Sequence, residues 1–211
     1  QLIHPSIIKF KGCSLSDFRR RRNHPVIVTE FPGNQTLEDI IQKVINKEIV
    51  DNWETKKLII MYGIASGMSY LHSKNIVHRD LNPLNIFIDD YFHPIIAGFD
   101  SSAKIDEILN QTVVMGTDPF IAPEILRGEG YRKESDVYSF SIIAYELVMN
   151  EIPFSQQNEY QIYNNVALKK IRPHIDNNID AVYHDLIELC WSDNVNIRPS
   201  FDKIRINLKK N

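Results

Sequence analysis

Apolar residues follow two different periods along this 211-residue chain. Short runs at Ile7, Ile8 and Phe10, and at Val26, Ile27 and Val28, read as two strands. The connector between them holds Arg19, Arg20, Arg21 and Arg22, which suggest an anion or partner site but read better as a solvated hairpin tip. From Thr36 the spacing turns helical. Thr36 with Asp39 three residues on marks a helix start, followed by Leu37, Ile40, Ile41 and Val44 on one face. Asp51 with Glu54 marks a second start, and its stripe runs Met61, Ile64, Ala65, Met68, Leu71. Residues 136–149 are apolar almost all round, which predicts a helix inside a domain rather than on its face. Asp136 opens that helix and is costly to bury there unless hydrogen-bonded. Val182, Leu186, Leu189 and Cys190 form a further stripe. Ser200 caps a last amphipathic helix carrying Phe201, Ile204 and Leu208.

Composition narrows the setting. With 43% hydrophobic and 24% charged residues the chain reads as soluble and globular. A net charge of −3 implies no strong attraction to nucleic acid or membrane. No apolar run approaches the ~20 residues of a membrane span. Two cysteines, Cys13 and Cys190, make no disulfide framework and point to a reducing, cytoplasmic interior. In that setting the Asn-Gln-Thr runs at 34–36 and 110–112 would not be used as glycosylation acceptors. The first residue is Gln and no signal peptide precedes it, so a piece of a longer protein is expected.

The chemistry concentrates in Ile76 to Ile88, I-V-H-R-D-L-N-P-L-N-I-F-I. An apolar lead-in gives way to a polar loop with His78, Arg79, Asp80 and Asn85, then to apolar Ile86, Phe87 and Ile88. A carboxylate can orient or accept a proton from an attacking hydroxyl. An amide oxygen five residues on is a hard ligand of the kind Mg²⁺ accepts. The stretch resembles the catalytic loop of a protein kinase, H-R-D-x-x-x-x-N. Asp136-Val137-Tyr138-Ser139-Phe140 resembles the family's D-V-W-S-F helix. Gly116-Thr117 followed by Ala122-Pro123-Glu124 resembles the end of its activation segment. Cys190-Trp191 and Arg198-Pro199-Ser200-Phe201 resemble the C-terminal end of tyrosine-kinase-like and tyrosine kinase domains.

This resemblance covers essentially the whole chain. It implies an α+β, protein-kinase-like fold: a mainly helical large lobe over residues 32–211, preceded at 1–31 by the last strands of the β-rich small lobe (strands four and five) and the hinge. It also implies that the glycine-rich phosphate loop, the strand lysine and its helix glutamate lie upstream. By resemblance Asp80 is the catalytic base, Asn85 a magnesium ligand and Thr117 the threonine that hydrogen-bonds the aspartate. Thr29, Glu30 and Pro32, with Phe87, take the place of the residues that receive the adenine of ATP. Asp136 is implied to hold the catalytic-loop backbone, and Arg198 to pair with Glu124. Phosphorylation at Ser101, Ser102 or Thr112 would order the activation segment against Arg79.

The pattern breaks at three places. Where the family has D-F-G, this chain reads Gly98-Phe99-Asp100, so a glycine stands in the position of the magnesium-binding aspartate. Asp100, two residues on, is the candidate displaced ligand. Asn82 replaces the lysine that neutralises the γ-phosphate, and Leu84 the arginine that tyrosine kinases carry nearby. Pro32 has no backbone N–H to offer the adenine ring. The sequence therefore predicts ATP and Mg²⁺ as cofactors by resemblance, a protein substrate or signalling partner, and serine/threonine phosphoryl transfer that is impaired. The competing expectation is an active kinase using Asp80 as base and Asp100 as metal ligand.

Overall fold

A computed structural model describes residues 2–15, 25–48, 51–108 and 113–210. The arginine run at 19–22 and Thr112 lie outside the described residues, as does the second Asn-Gln-Thr run. The chain opens with an antiparallel hairpin, β1 (Phe10–Ser14) and β2 (Val26–Thr29). Helices α1 (Leu37–Ile45) and α2 (Trp53–Ser73) follow. Short strands β3 (Ile76–Val77), β4 (Ile86–Ile88), β5 (Pro94–Ile96) and β6 (Ala103–Lys104) bracket the polar loop of residues 78–85 and its surroundings. β3 pairs with β6 and β4 with β5, both antiparallel. The remainder is helical: α3 (Ile105–Ile108), α4 (Pro123–Leu126), α5 (Lys133–Met149), α6 (Glu159–Tyr163), α7 (Ala181–Cys190) and α8 (Phe201–Leu208).

The predicted first strand begins later than its apolar residues. Ser6 O and Ile8 N exchange hydrogen bonds with Ile96 at 2.9 Å each, so Ile7 and Ile8 dock on β5. Hairpin pairing starts only where Phe10 faces Thr29. Helix α1 starts as expected. Thr36 Oγ1 accepts from Asp39 N–H, and Asp39 Oδ2 accepts from Thr36 N–H at 2.8 Å. Helix α2 does not start on Asp51. Its cap is Asn52, in the left-handed region at φ 54° without a side-chain cap, and Glu54 instead pairs with Lys57 at 2.6 Å. The α7 stripe also needs correcting. Val182 and Leu189 are exposed, while Ile187 joins Leu186 and Cys190 in the core.

Helix α5 is the axle of the domain. Every residue from Ser135 to Val148 is buried, with α7 and α2 packed against it. Helix α2 in turn carries α8 and β5. Beneath α5, Arg198 grips Glu124 through two bonds of 2.8 Å, and Ser135 donates to the same carboxylate. Both ions are fully buried. Removing one partner of such a pair costs about 3–5 kcal/mol, because the other is left uncompensated.

One buried carboxyl group on α5 has no such partner. Glu146 is 3% exposed, and its Oε2 has no hydrogen-bond partner among the described residues. Burial, with Glu38 nearby, pushes its pKa from 4.5 up to about 9. Between those values the native state holds a proton that the unfolded chain has lost. Stability therefore falls as pH rises through that window, by on the order of 3 kcal/mol at pH 7. Glu146→Gln should match the parent near pH 4 and exceed it at pH 7 by about that amount in urea denaturation. Parallel curves from pH 5 to 9 would show that the carboxyl titrates normally.

Candidate active site

The polar loop of residues 78–85, the candidate catalytic loop, is hung from α5. Asp136, 1% exposed, accepts from the backbone N–H of His78 at 2.9 Å and of Arg79 at 3.0 Å. His72, from the last turn of α2, places Nε2 2.8 Å from Asp136 Oδ2. These contacts supply what burial of a carboxylate requires. They also fix Arg79 in the left-handed region, φ 69°.

His78 ties the loop to the segment around Gly98. Its Nδ1 accepts from Asp80 N–H at 3.3 Å, which puts the proton on Nε2, and Nε2 donates to Ala97 O at 2.7 Å. Complete burial holds its pKa down, so the ring works as a neutral strut. Phe99 packs beside it, ring centroids 5.2 Å apart.

The side chains of Asp80, Asn82, Asn85 and Thr117 come together. Asp80 Oδ1 accepts from Asn82 Nδ2 at 2.8 Å and from Thr117 Oγ1 at 2.9 Å, while Oδ2 accepts from Asn85 Nδ2 at 2.9 Å. Asn82 is only 2% exposed. Its Oδ1 accepts from Leu84 and Asn85 N–H, capping the 3-10 turn Pro83–Asn85. A lysine could not accept those bonds, so asparagine here is a turn cap. Sequence reasoning registered the lost charge and missed the cap. The Asn-Pro pair that starts the turn was the available signal.

Asn85 meets Gly98 directly. Gly98 adopts φ 72°, and an ideal Cβ built on it falls 2.4 Å from both Cγ and Oδ1 of Asn85. The carboxamide thus fills the room that a side chain at 98 would need. Asp100 lies exposed on the 3-10 turn Phe99–Ser101. Among the described residues, no group of three His, Cys, Asp or Glu side chains could hold a metal ion.

Of the four residues expected to receive adenine, Thr29, Glu30 and Pro32 lie along the chain from β2 to α1. Thr29 ends β2, and Glu30 is exposed, its N–H donating to Lys9 O at 2.8 Å and its side chain 3.5 Å from Lys11. Pro32 is half-buried. Phe87 sits in β4 and is bridged to Thr36, which connects this strip to the catalytic loop. Cavities of about 750 Å³, against the C-terminal end of α5, and about 660 Å³, against α2, are lined by none of these residues.

The Gly98–Asn85 contact is testable. Gly98→Asp should destabilise the domain by about 1–3 kcal/mol through overpacking. Asn85→Ala should relieve that cost, so the double variant falls short of the sum by at least ~0.5 kcal/mol in urea denaturation. Strict additivity would mean that the two residues do not compete for space.

Comparison with known proteins agrees with this geometry. The family model described as "Protein kinase domain" matches residues 1–207. Serine/threonine-protein kinase CTR1 of Arabidopsis thaliana is 34% identical over 207 residues, covering 97% of this chain and 24% of that protein. A Dictyostelium discoideum protein named as a probable serine/threonine-protein kinase is 35% identical over 211 residues, covering 99% of this chain and 15% of its own length. The chain thus spans under a quarter of the length of these relatives. The family model matches 207 of the 211 residues, and this chain belongs to the protein kinase domain family.

Proposed function

We propose that this domain works mainly as a signalling scaffold of the tyrosine-kinase-like group, engaging a protein partner or substrate, with serine/threonine phosphoryl transfer impaired. The contact between Gly98 and the Asn85 carboxamide carries this reading. A magnesium ion held by two protein ligands needs a carboxylate beside the amide. Asn85 Nδ2 is committed to Asp80 O and Oδ2, which leaves only its Oδ1. Gly98 brings no oxygen, and there is no room for one while Asn85 stays put. As they stand, these side chains do not fit such an ion. Asn82 adds to the case, since a buried turn cap cannot reach a phosphate. Pro32 adds a missing backbone donor for adenine.

Partner chemistry follows from the family, whose members act on proteins. Among the described residues no helix is long and apolar enough to cross a membrane. A cytoplasmic setting is part of the proposal, supported by the two free cysteines.

A second reading has a specific observation in its favour. Asp80 retains the threonine and amide contacts expected of a working base, through Thr117 and Asn85. With Asp100 rearranged into the metal site, the domain would be an active serine/threonine kinase using ATP and Mg²⁺.

Transfer of labelled γ-phosphate to a generic protein substrate separates the two. It would be measured on the whole protein carrying this domain, with Mg²⁺ or Mn²⁺, beside Asp80→Asn. Transfer no greater than in that variant is the expected result. Transfer that vanishes only in Asp80→Asn would establish the active kinase and make Asp100→Asn the next variant.

A further inference from the structure

Tyr131 belongs to none of the sequence motifs and stands two residues before α5. Its ring is buried, with the Arg79 guanidinium carbon 5.4 Å from the ring centroid. Its hydroxyl accepts from Met115 N–H at 2.7 Å and donates to Met115 C=O at 2.7 Å. Both backbone groups of one activation-segment residue therefore end on a single side-chain oxygen. The next residue, Gly116, has φ 121°, and a Cβ there would lie 3.1 Å from Arg79 O. The one after, Thr117, donates to Asp80. Three consecutive residues are thus fitted in turn to Tyr131, to the catalytic-loop backbone and to the catalytic carboxylate.

We propose that Tyr131 is the positioning residue of the activation segment: its hydroxyl latches Met115 so that Thr117 reaches Asp80, without a phosphate group. A phosphorylated segment is ordered by new charge-assisted bonds to arginine. Here a neutral phenol supplies two bonds to the backbone. Burial raises the Tyr131 pKa, which keeps the hydroxyl protonated and able to donate. Arg79 is also placed without phosphate, since its Nε donates to Ser101 O and its guanidinium sits by the Tyr131 ring. The latch concerns the shape of the segment alone, so it stands or falls separately from phosphoryl transfer.

Backbone amide exchange tests it on four samples: the protein as purified, the protein after phosphatase treatment, Tyr131→Phe, and Gly116→Ala. Phenylalanine keeps the ring and removes only the hydroxyl. Met115 should then exchange about five- to tenfold faster, as expected for the loss of backbone-to-hydroxyl bonds. Amides of α5 should be unchanged, and phosphatase should leave Met115 protected. Unaltered exchange at Met115 in Tyr131→Phe would overturn the latch. So would loss of protection on phosphatase treatment alone. Acceleration of Met115 and α5 together would mark Tyr131 as a general packing residue and also overturn it. Should Tyr131→Phe fail to fold, Gly116→Ala decides. It leaves the phenol in place, crowds Arg79 O, and should free Met115 with α5 intact; unchanged exchange there would overturn the latch.

Discussion

A single buried carboxylate organises the functional half of this molecule. Asp136 lies on a helix buried on every side, where an unpaired charge would be prohibitive. Its oxygens are met by the N–H groups of His78 and Arg79 and by the ring of His72. That requirement turns the loop over at Arg79, immediately before Asp80. His78 carries the constraint on to Ala97, and so to Gly98 and Phe99. A loop that would otherwise be a surface turn is thereby tied to the core beneath it.

What hangs from this support is a closed set of neutral donors around one anion. Three side chains, Asn82, Asn85 and Thr117, donate to the Asp80 carboxylate. Asn82 caps its own turn and Asn85 fills the space beside Gly98. Asn82 and Gly98, two of the positions that depart from the motifs the sequence resembles, are thus each fitted to their surroundings. Such mutual consistency marks a settled arrangement, because unused polar groups in a buried site are costly.

Much of this was legible in the residues. The α2 stripe and the all-round apolar α5 have long, strongly periodic signals, and both helices appear with those residues buried. The Thr36–Asp39 capping box is local chemistry and was equally visible. Errors arose where tertiary contacts override local pattern. Ile7 and Ile8 have strand character but find Ile96 before they find the hairpin. Val182 and Leu189 keep helical spacing with Leu186, yet the face that α7 turns to α5 passes through Ile187 instead. In the site, the identities and spacing of Asp80, Asn85 and Thr117 were readable from motif alone. The contacts of His72 and Tyr131 were not, because each depends on a partner at least sixteen residues away that no local pattern reveals.

The central claim is that the side chains beside Asp80 no longer make a divalent-cation site. Calorimetric titration of the whole protein with ATP, once with Mg²⁺ and once with a chelator, tests it most directly. If Asn85 and Gly98 are arranged as seen here, nucleotide affinity should be the same in both titrations, whether it is measurable or absent. A gain of tenfold or more with Mg²⁺, about 1.4 kcal/mol, would contradict it and show that a metal ligand is supplied from elsewhere.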